Sequence, residues 1–260
     1  MPLPEKIGFI GTGAITDAMV RGLLAQPAAV QHIMVSQRSE DVSAKLAVDF
    51  PQVLVSGDNQ AIVDGCDTII LAIRPQIAEE VVRPLQFRDG QKVISVVAAT
   101  SREALFDWIG ADVSLSQAIP LPFVARRTGV TAVYPPDEDT AAVFNVLGSA
   151  VECETKAEYD LLAAASALMA TYFGIMHRTT EWLAENGLPE KKGRAYLAPL
   201  FADLSEAALA AGKDIDFIDL SRKFATEGGL NEQVVNDFDA KGGSNALKWA
   251  LSRVLARITR

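Results

Sequence analysis

The sequence predicts an α/β domain built on a parallel sheet, followed by an all-helical domain. In the first half, short apolar runs alternate with segments of helical spacing, which is the pattern of successive β-α-β units. Beyond Thr155 nearly every segment has a helical composition. The predicted domains are therefore residues 1–153 and residues 154–260.

Five short apolar runs predict the strands of the first domain. They span residues 6–11, 32–36, 68–73, 92–97 and 113–119, and residues 151–153 are a candidate for one last strand. Because these runs are apolar throughout, both faces of the sheet should be covered. Helices are expected at residues 12–24, 40–48, 76–82 and 101–109, then at 156–186, 190–211, 216–226, after 229, and at 245–258.

Composition excludes several classes of partner. The chain has 260 residues and a net charge of −9, which disfavours nucleic acid and anionic membranes as partners, since both need a basic surface. Its two cysteines, Cys66 and Cys153, form neither a disulfide framework nor a zinc pattern, so no metal is expected. The N-terminus lacks the pattern of a signal peptide, and a cytoplasmic location is expected.

The longest uncharged run covers residues 161–176. It is shorter than a bilayer span requires, and it contains Ser166, Thr171 and Gly174, which predicts a buried helix rather than a membrane helix. A helix that is apolar nearly all round must be surrounded by protein. The rest of the helical domain provides few neighbours, so we expect a homodimer that forms through this domain.

A glycine-rich turn follows the first predicted strand. Gly11 permits a tight turn, Gly13 allows the backbone to approach a pyrophosphate, and the following helix supplies free N–H groups. Thr16 replaces the third glycine of the usual fingerprint. In this strand–turn–helix setting the motif predicts a Rossmann-type dinucleotide site. The expected contacts are Gly11, Thr12, Gly13, Ala14 and Ile15.

The end of the second predicted strand bears on the choice between NADPH and NADH. An NAD site places an acidic residue there to accept a hydrogen bond from the ribose 2′-hydroxyl. This chain has Ser36, Arg38 and Ser39, with no acid before Glu40. A guanidinium and two hydroxyls suit a 2′-phosphate, so NADPH is preferred to NADH.

Several motifs resemble those of the pyrroline-5-carboxylate reductases. Residues 7–13 (IGFIGTG) are similar to the opening of that family, residues 71–76 (LAIRPQ) to its L-A-V-K-P-Q turn, and residues 117–120 (QAIP) to its R-A-M-P. Ser166 and Tyr172 lie where the family has its S-G-S-G-P-A-Y helix start, and residues 226–229 (TEGG) match part of its S-P-G-G-T-T loop. The order and spacing hold over nearly the whole chain.

The resemblance implies a Rossmann domain, a helical dimerisation domain, and hydride transfer from NAD(P)H to the C=N bond of a small cyclic imine or imino acid. It also implies that a second group of residues borders the dinucleotide. These residues are Ala72, Arg74, Pro75 and Gln76, together with Ala98, which with Ala99 would lie near the nicotinamide.

Candidates for catalysis and substrate binding come from the helical half. The expected catalytic residues are Ser166, Thr171, Arg178 and Thr226, and the expected substrate-binding residues are His177, Gly228, Gly229 and Asn231. The N–H groups of the paired glycines would form a nest for a carboxylate, Arg178 would clamp one, and His177 would donate a proton. Alternatively, the helix simply ends its apolar stretch there, and Arg178 pairs with Glu181 or Glu185.

The departures from the family fall on substrate-facing positions. The polar residues of its M-P-N-T-P motif are replaced by Leu121 and Pro122, and its paired threonines by Leu230 and Asn231. Where the family often has a glutamate, this chain has Arg178. The substrate therefore need not be pyrroline-5-carboxylate.

Two other functions stay open at this point. A dehydrogenase of the β-hydroxyacid type also joins a Rossmann domain to helices, but it usually employs a lysine in its central helix, where this chain has His177 and Arg178. A non-catalytic NADP-binding sensor would have its substrate pocket filled by Leu121, Met169 and Leu230.

Overall fold

A computed structural model describes residues 3–212 and 214–259. It divides the chain into two compact units, Met1–Ala163 and Ala164–Arg260. The division falls within the helix Lys156–Ser166, later in the chain than the boundary expected from composition. The assignment of separate roles to residues 1–153 and 154–260 stays a prediction.

The first unit alternates strands with helices. Its strands are β1 (Lys6–Ile10), β2 (His32–Ser36), β3 (Val53–Ser56), β4 (Thr68–Leu71), β5 (Lys92–Ser95), β6 (Ser114–Ile119), β7 (Gly129–Tyr134) and β8 (Gly148–Glu152). Its helices are α1 (Ala14–Leu24), α2 (Glu40–Asp49), α3 (Asn59–Gly65), α4 (Pro75–Val82), α5 (Arg102–Ile109) and α6 (Glu138–Val146), with a 3₁₀ turn at Pro122–Arg126. Helix α7 (Lys156–Ser166) contains the division between the units.

All eight strands form one sheet in the order β3-β2-β1-β4-β5-β6-β7-β8. Neighbouring strands are parallel except for β6 and β7, which pair antiparallel. The predicted α/β fold with a parallel sheet is therefore confirmed. The five apolar runs correspond to β1, β2, β4, β5 and β6, and the candidate strand at residues 151–153 corresponds to the end of β8.

Strands β3 and β7 were not predicted, because neither segment has the uninterrupted apolar composition of the other strands. Strand β3 is four residues long and lies at the sheet edge, where Leu54 is 59% exposed. Strand β7 exposes Val130 and ends at Tyr134, just before a pair of prolines that resembles the start of a loop. Because a strand at an edge or with an exposed face need not be apolar throughout, neither segment reads as a buried run.

The core of this unit lies on both faces of the sheet. Phe9, Ile33 and Phe144 are fully buried in one cluster, and Ile10 and Val93 are fully buried in another. Alternate residues of β1 thus enter different clusters, as the period of two in a strand requires. This two-sided burial explains the uninterrupted apolar runs in the sequence.

Helix α6 begins at an ion cluster that ties it to β5. Asp137 caps the helix by accepting a hydrogen bond from the Thr140 N–H (2.8 Å), and Lys92 Nζ lies 2.7 Å from Asp137 Oδ2 and 3.0 Å from Asp139 Oδ2. Burial acts to raise the pKa of Asp137, but the hydrogen bonds from Lys92 and Thr140 together lower it below its ordinary value. The acidic triplet at residues 137–139 is therefore a helix N-terminus.

The second unit is helical, as predicted. Its helices are α8 (Leu168–Glu185), α9 (Glu190–Ala210), α10 (Phe217–Phe224), α11 (Leu230–Ala240) and α12 (Gly243–Ile258). The single helix expected at residues 156–186 is wrong, because α7 and α8 are separated at Ala167. There the Ala167 N–H bonds the Ala164 carbonyl three residues back, which tightens the last turn of α7 and interrupts the α-helical ladder.

The apolar run at residues 161–176 is not buried within one chain, which corrects that expectation. As the structure describes it, α8 has no buried residue, and the exposed fractions of Phe173 and Ile175 are 61% and 50%. Taken together as one helix, α7 and α8 (Lys156–Glu185) are long and apolar enough to cross a membrane. One such stretch is weak evidence for a span, and this one is interrupted at Ala167 and carries His177 and Glu181 in contact with each other.

Candidate dinucleotide site and substrate residues

A cavity of about 1040 Å³ lies at the carboxyl end of the sheet. It opens where the strand order reverses, with β1 in the middle, β2 on one side and β4 on the other. Open α/β sheets bind their ligands at this switch point. Its lining residues are Ile10, Gly11, Thr12, Gly13, Ser36, Gln37, Arg38, Ser39, Glu40, Gly57, Asn59, Ala72, Ile73, Arg74, Gln76, Ile77 and Val81.

Most of the residues expected at the dinucleotide lie together in this cavity. They are Gly11, Thr12, Gly13, Ser36, Arg38, Ser39, Ala72, Arg74 and Gln76. Ala14, Ile15 and Pro75 do not line it but begin the helices α1 and α4 that border it, and Ala98 lies beyond the end of β5. That these residues bind a dinucleotide stays a prediction.

The residues that follow β3 also line the cavity, and none of them was predicted to lie there. Gly57 and Asn59 line the wall just after this strand, and Asp58 caps α3 by accepting from the Gln60 N–H at 2.9 Å. Because β3 was not recognised, the residues at its carboxyl end gave no functional signal. A Gly-Asp-Asn sequence directly after a strand would have been the cue.

Gly11 stands in the one position of the turn that no other residue can occupy without strain. Its φ is +98°, and a Cβ atom there would lie 2.3 Å from the carbonyl oxygen of Ala72. The Ala72 N–H in turn donates to the Ile10 carbonyl at 2.8 Å, so β1 and β4 fix this close approach. Thr16, fully buried, donates its hydroxyl to the Gly11 carbonyl at 2.7 Å and so fulfils the packing role of the missing third glycine.

Gly13, unlike Gly11, faces open space. It precedes α1 without a side-chain cap, and a Cβ atom there would meet nothing within 4 Å. The first N–H groups of α1 therefore open onto free space at the positive end of the helix dipole. This cradle fits the diphosphate of a dinucleotide.

Ser36 lines the cavity and also holds the turn in place. Its Oγ accepts a hydrogen bond from the Gly11 N–H at 2.9 Å, and its carbonyl accepts one from the Thr12 hydroxyl. Ser36 and Thr12 are 4% and 2% exposed. Contact of Ser36 with a 2′-phosphate stays a prediction, as it does for Arg38 and Ser39, which lie at the surface of the cavity.

Two guanidinium groups give the cavity its positive charge. Arg38 and Arg74 are both exposed at its wall, and neither forms an ion pair with another residue in the described part of the chain. Glu40 is the carboxylate among the lining residues. Together with the N-terminus of α1, this arrangement suits an anionic ligand that carries phosphates and ribose hydroxyls.

The second unit separates some of the residues expected at the substrate. His177 lines a cavity of about 490 Å³ between α8 and α9, together with Thr180, Lys191 and Arg194. Asn231 lines a different cavity of about 310 Å³, among residues of α9 and α10. Neither cavity is lined by the other expected residues, which are Ser166, Thr171, Arg178, Thr226, Gly228 and Gly229.

The alternative considered for Arg178, an ion pair with Glu181 or Glu185, does not form among the described residues. Arg178 Nη1 donates to the Gly174 carbonyl at 3.2 Å, one turn back along α8. Glu181 instead lies 3.3 Å from His177 Nε2. This spacing of four residues places His177 and Glu181 on one face of the helix, next to the cavity between α8 and α9.

The anion nest expected at Gly228 and Gly229 is also wrong, because both N–H groups have partners within the chain. The Gly228 N–H donates to Glu232 Oε2 at 2.7 Å, and the Gly229 N–H donates to the Thr226 carbonyl at 2.7 Å. Asn231 Nδ2 donates to the Phe224 carbonyl at 2.9 Å. The loop before α11 thus satisfies these donors itself.

The fold is that of a Rossmann-type α/β unit followed by a helical C-terminal unit. Comparison with known proteins is more specific. The family model described as "NADP oxidoreductase coenzyme F420-dependent" matches residues 6–99. The pyrroline-5-carboxylate reductase of Pseudomonas aeruginosa is 23% identical over 97% of this chain and 95% of its own length.

Solved structures of pyrroline-5-carboxylate reductases from other organisms are also similar to this chain. A pyrroline-5-carboxylate reductase from Coxiella burnetii superposes with a TM-score of 0.84 at 20% identity, covering 98% of this chain and 97% of that one. The Plasmodium falciparum pyrroline carboxylate reductase with NADP bound gives 0.79 at 16% identity, covering 99% and 98%. The resemblance to pyrroline-5-carboxylate reductases is therefore confirmed, and the chain has their fold.

Substitution of the two glycines should separate folding from ligand binding. We expect Gly13→Ala to leave the free energy of unfolding within about 0.5 kcal/mol of wild type but to raise the Kd for NADPH by about tenfold or more, because the new methyl group fills the cradle. Gly11→Ala should lose more than about 2 kcal/mol, because it adds both strain and a clash with Ala72. Urea denaturation and calorimetric titration measure the two effects. Unchanged NADPH binding by Gly13→Ala would contradict this assignment of the cradle.

Proposed function

We propose that the protein is an NADPH-dependent reductase that acts on the C=N bond of a small cyclic imine or imino acid. The cradle at the sheet switch point, formed by Gly11, Gly13 and the N-terminus of α1, is the observation that supports this most directly. Similarity to pyrroline-5-carboxylate reductases over 97% of the chain supports the choice of reaction.

In this proposal the first unit holds the dinucleotide. The first N–H groups of α1, including those of Ala14 and Ile15, bind the diphosphate, and Arg38 and Ser39 bind the 2′-phosphate. Ser36 positions the turn through Gly11 and Thr12. Arg74, Pro75 and Gln76 border the dinucleotide from the start of α4, and Ala98 lies toward the nicotinamide, as the family resemblance implies.

When bound, a reduced nicotinamide would supply a hydride to the carbon of a protonated C=N bond, which would leave a neutral secondary amine. The chain need only orient the imine and keep its nitrogen protonated. Thr171 and Thr226 are exposed residues with hydroxyls for this task, and Ser166 ends α7 just before α8 begins. Arg178 and His177 are the basic residues of α8 nearest in sequence to Thr171.

The two other functions are less well supported. The sensor requires Met169 and Leu230 to fill a pocket, but their exposed fractions are 37% and 82%. The β-hydroxyacid dehydrogenase requires a basic group in the central helix, and the guanidinium of Arg178 is bonded back onto the Gly174 carbonyl of its own helix. Imine reduction needs neither feature.

Turnover is tested with NADPH and a panel of small cyclic imines, with and without a carboxylate. We expect the nicotinamide absorbance band to disappear with at least one imine, and we expect a slower reaction at subsaturating NADPH with Gly13→Ala, whose methyl group fills the cradle. Binding of NADPH without turnover on any imine would favour the sensor. Reduction of NADP by hydroxy acids instead would favour the dehydrogenase.

NADPH rather than NADH is proposed because Arg38 is the exposed cation at the ribose end of the cavity. Arg38→Ala should raise the KM for NADPH by about tenfold or more, since a charge-assisted hydrogen bond is lost, and should change the KM for NADH little. Arg126→Ala, an exposed arginine outside the cavity, is the matched control. Equal effects of Arg38→Ala on both coenzymes would contradict the assignment.

A homodimer that forms through the helical unit is proposed from the apolar side chains that one chain leaves uncovered. Helices α8, α10, α11 and α12 have no buried residue as the structure describes them, and Phe173, Phe217, Val234 and Trp249 are each at least 61% exposed. Exposed apolar surface of this extent marks an interaction site.

Light scattering at micromolar concentration should give twice the chain mass. Phe173→Asp should shift the mass toward the monomer, because it places a charge in the interface. Val48→Asp, at a still more exposed apolar position in the first unit, should not change the mass. A monomeric mass for the wild type would contradict the proposal.

A cytoplasmic location is proposed from the cysteines. Cys66 and Cys153 are buried and unpaired, and burial raises the pKa of the Cys66 thiol to about 11. Unreactive thiols of this kind suit a reducing compartment, in which they serve as small apolar residues.

A further inference from the structure

A strained residue lies in the loop between β5 and α5. The φ of Ala99 is +51°, in the left-handed region that residues with a side chain rarely adopt. Ala99 is exposed, so packing of its own side chain does not force this conformation. Backbone strain of this kind persists where surrounding contacts impose it, and it is concentrated at functional sites.

Gln117 of β6 supplies such a contact. Its Nε2 donates to the Thr100 carbonyl at 2.8 Å, and the Thr100 hydroxyl donates to the Ala98 carbonyl at 3.3 Å. Arg102, the first residue of α5, is bonded to the same strand, because its Nε and Nη2 each donate to the Leu115 carbonyl at 3.2 Å. Strand β6 therefore holds the C-terminal end of the loop at two points.

The other polar atom of the Gln117 side chain shows that folding alone does not account for this residue. Gln117 is 2% exposed, and its Oε1 is buried without a hydrogen-bond partner among the residues that the structure describes. A buried carbonyl oxygen in this state lowers stability, and an apolar side chain of similar length would avoid that loss. Gln117 thus destabilises β6 through one atom and holds the loop through the other.

The loop lies at the same edge of the sheet as the dinucleotide cavity. Strand β5 is parallel to β4, and the Val96 N–H donates to the Leu71 carbonyl at 2.9 Å, directly before the lining residue Ala72. A dinucleotide spans both halves of a sheet of this topology. Since Arg38 is proposed to bind the 2′-phosphate on the β2 side, the nicotinamide half would extend toward β4, β5 and this loop.

We propose that Gln117 is a positioning residue, which holds residues 98–100 in the conformation that receives the nicotinamide half of the coenzyme. This inference rests on the proposed coenzyme binding and adds a residue that does not line the cavity. Gln117 acts through the Thr100 carbonyl and needs no contact with the coenzyme. Because the loop is ordered in advance, less conformational entropy is lost when the coenzyme binds.

Calorimetric titration with NADPH and with adenosine 2′,5′-bisphosphate tests the proposal, since the second ligand carries the 2′-phosphate but lacks the nicotinamide. We expect Gln117→Met to raise the Kd for NADPH by about tenfold and to leave the Kd for the bisphosphate unchanged. The urea midpoint should not fall, because the unpartnered carbonyl oxygen is removed as well. Equal weakening of both ligands, or unchanged NADPH binding, would overturn the inference.

Gln91→Met is the matched control. Gln91 is 4% exposed and directly precedes β5, at the opposite edge of the sheet, where its Nε2 donates to the Val63 and Cys66 carbonyls at 2.8 Å each. Its replacement should lower the urea midpoint and leave the binding of both ligands unchanged. A loss of NADPH affinity as large as that of Gln117→Met would show that general destabilisation is sufficient, and would overturn the inference.

A second substitution tests the strained residue itself. Ala99→Gly, introduced into the Gln117→Met variant, should recover part of the lost NADPH affinity, because glycine adopts a positive φ without the strain that alanine bears. The absence of any recovery would contradict a role for Gln117 in holding this conformation.

Hydrogen exchange of the wild-type protein gives a readout that does not depend on the folding of a variant. NADPH should slow the exchange of amides 99–102 more than adenosine 2′,5′-bisphosphate does. Equal protection by the two ligands would overturn this inference and leave the proposed function intact. Failure of the wild type to bind NADPH would instead refute the proposed function, and this inference with it.

Discussion

The close approach of two backbones at the sheet switch point is the constraint on which the rest of the first unit depends. The Gly11 α-carbon lies so near the Ala72 carbonyl that no side chain fits between them. This contact fixes the direction in which the chain leaves β1, and thereby aims the N-terminus of α1 at the cavity. Ser36 secures the same turn from the β2 side, so three strands determine one loop.

The parts that the sequence predicted well are those whose signal is local. Strands buried on both faces, such as β1 and β4, are apolar throughout, and the Gly11–Gly13 turn carries its own geometric requirement. Strand β3 was missed because it is a short edge strand, and with it the wall that contains Asn59. Unless the strand is recognised, the Gly-Asp-Asn sequence that follows it cannot be identified as part of a site.

The helical unit was harder to predict for a different reason. Residue types there suggested polar and charged groups for a site, but hydrogen bonds within the chain engage several of these groups. Arg178 bonds its own helix, His177 takes the glutamate expected for Arg178, and Glu232 takes the amide expected for a ligand. Spacing along a helix shows which residues share a face, but it does not decide which of several available acceptors a donor will choose.

Ser36 secures the turn, whereas its neighbours Arg38 and Glu40 do not, and this difference has a consequence for coenzyme preference. Its buried hydroxyl accepts from the Gly11 N–H of the turn, while the neighbouring Arg38 and Glu40 lie at the cavity wall without side-chain bonds to the turn. Under the proposed coenzyme assignment, exchange of these two side chains would change the preference between NADPH and NADH and leave the turn itself intact. One or two substitutions would then suffice to couple this scaffold to a different redox pool.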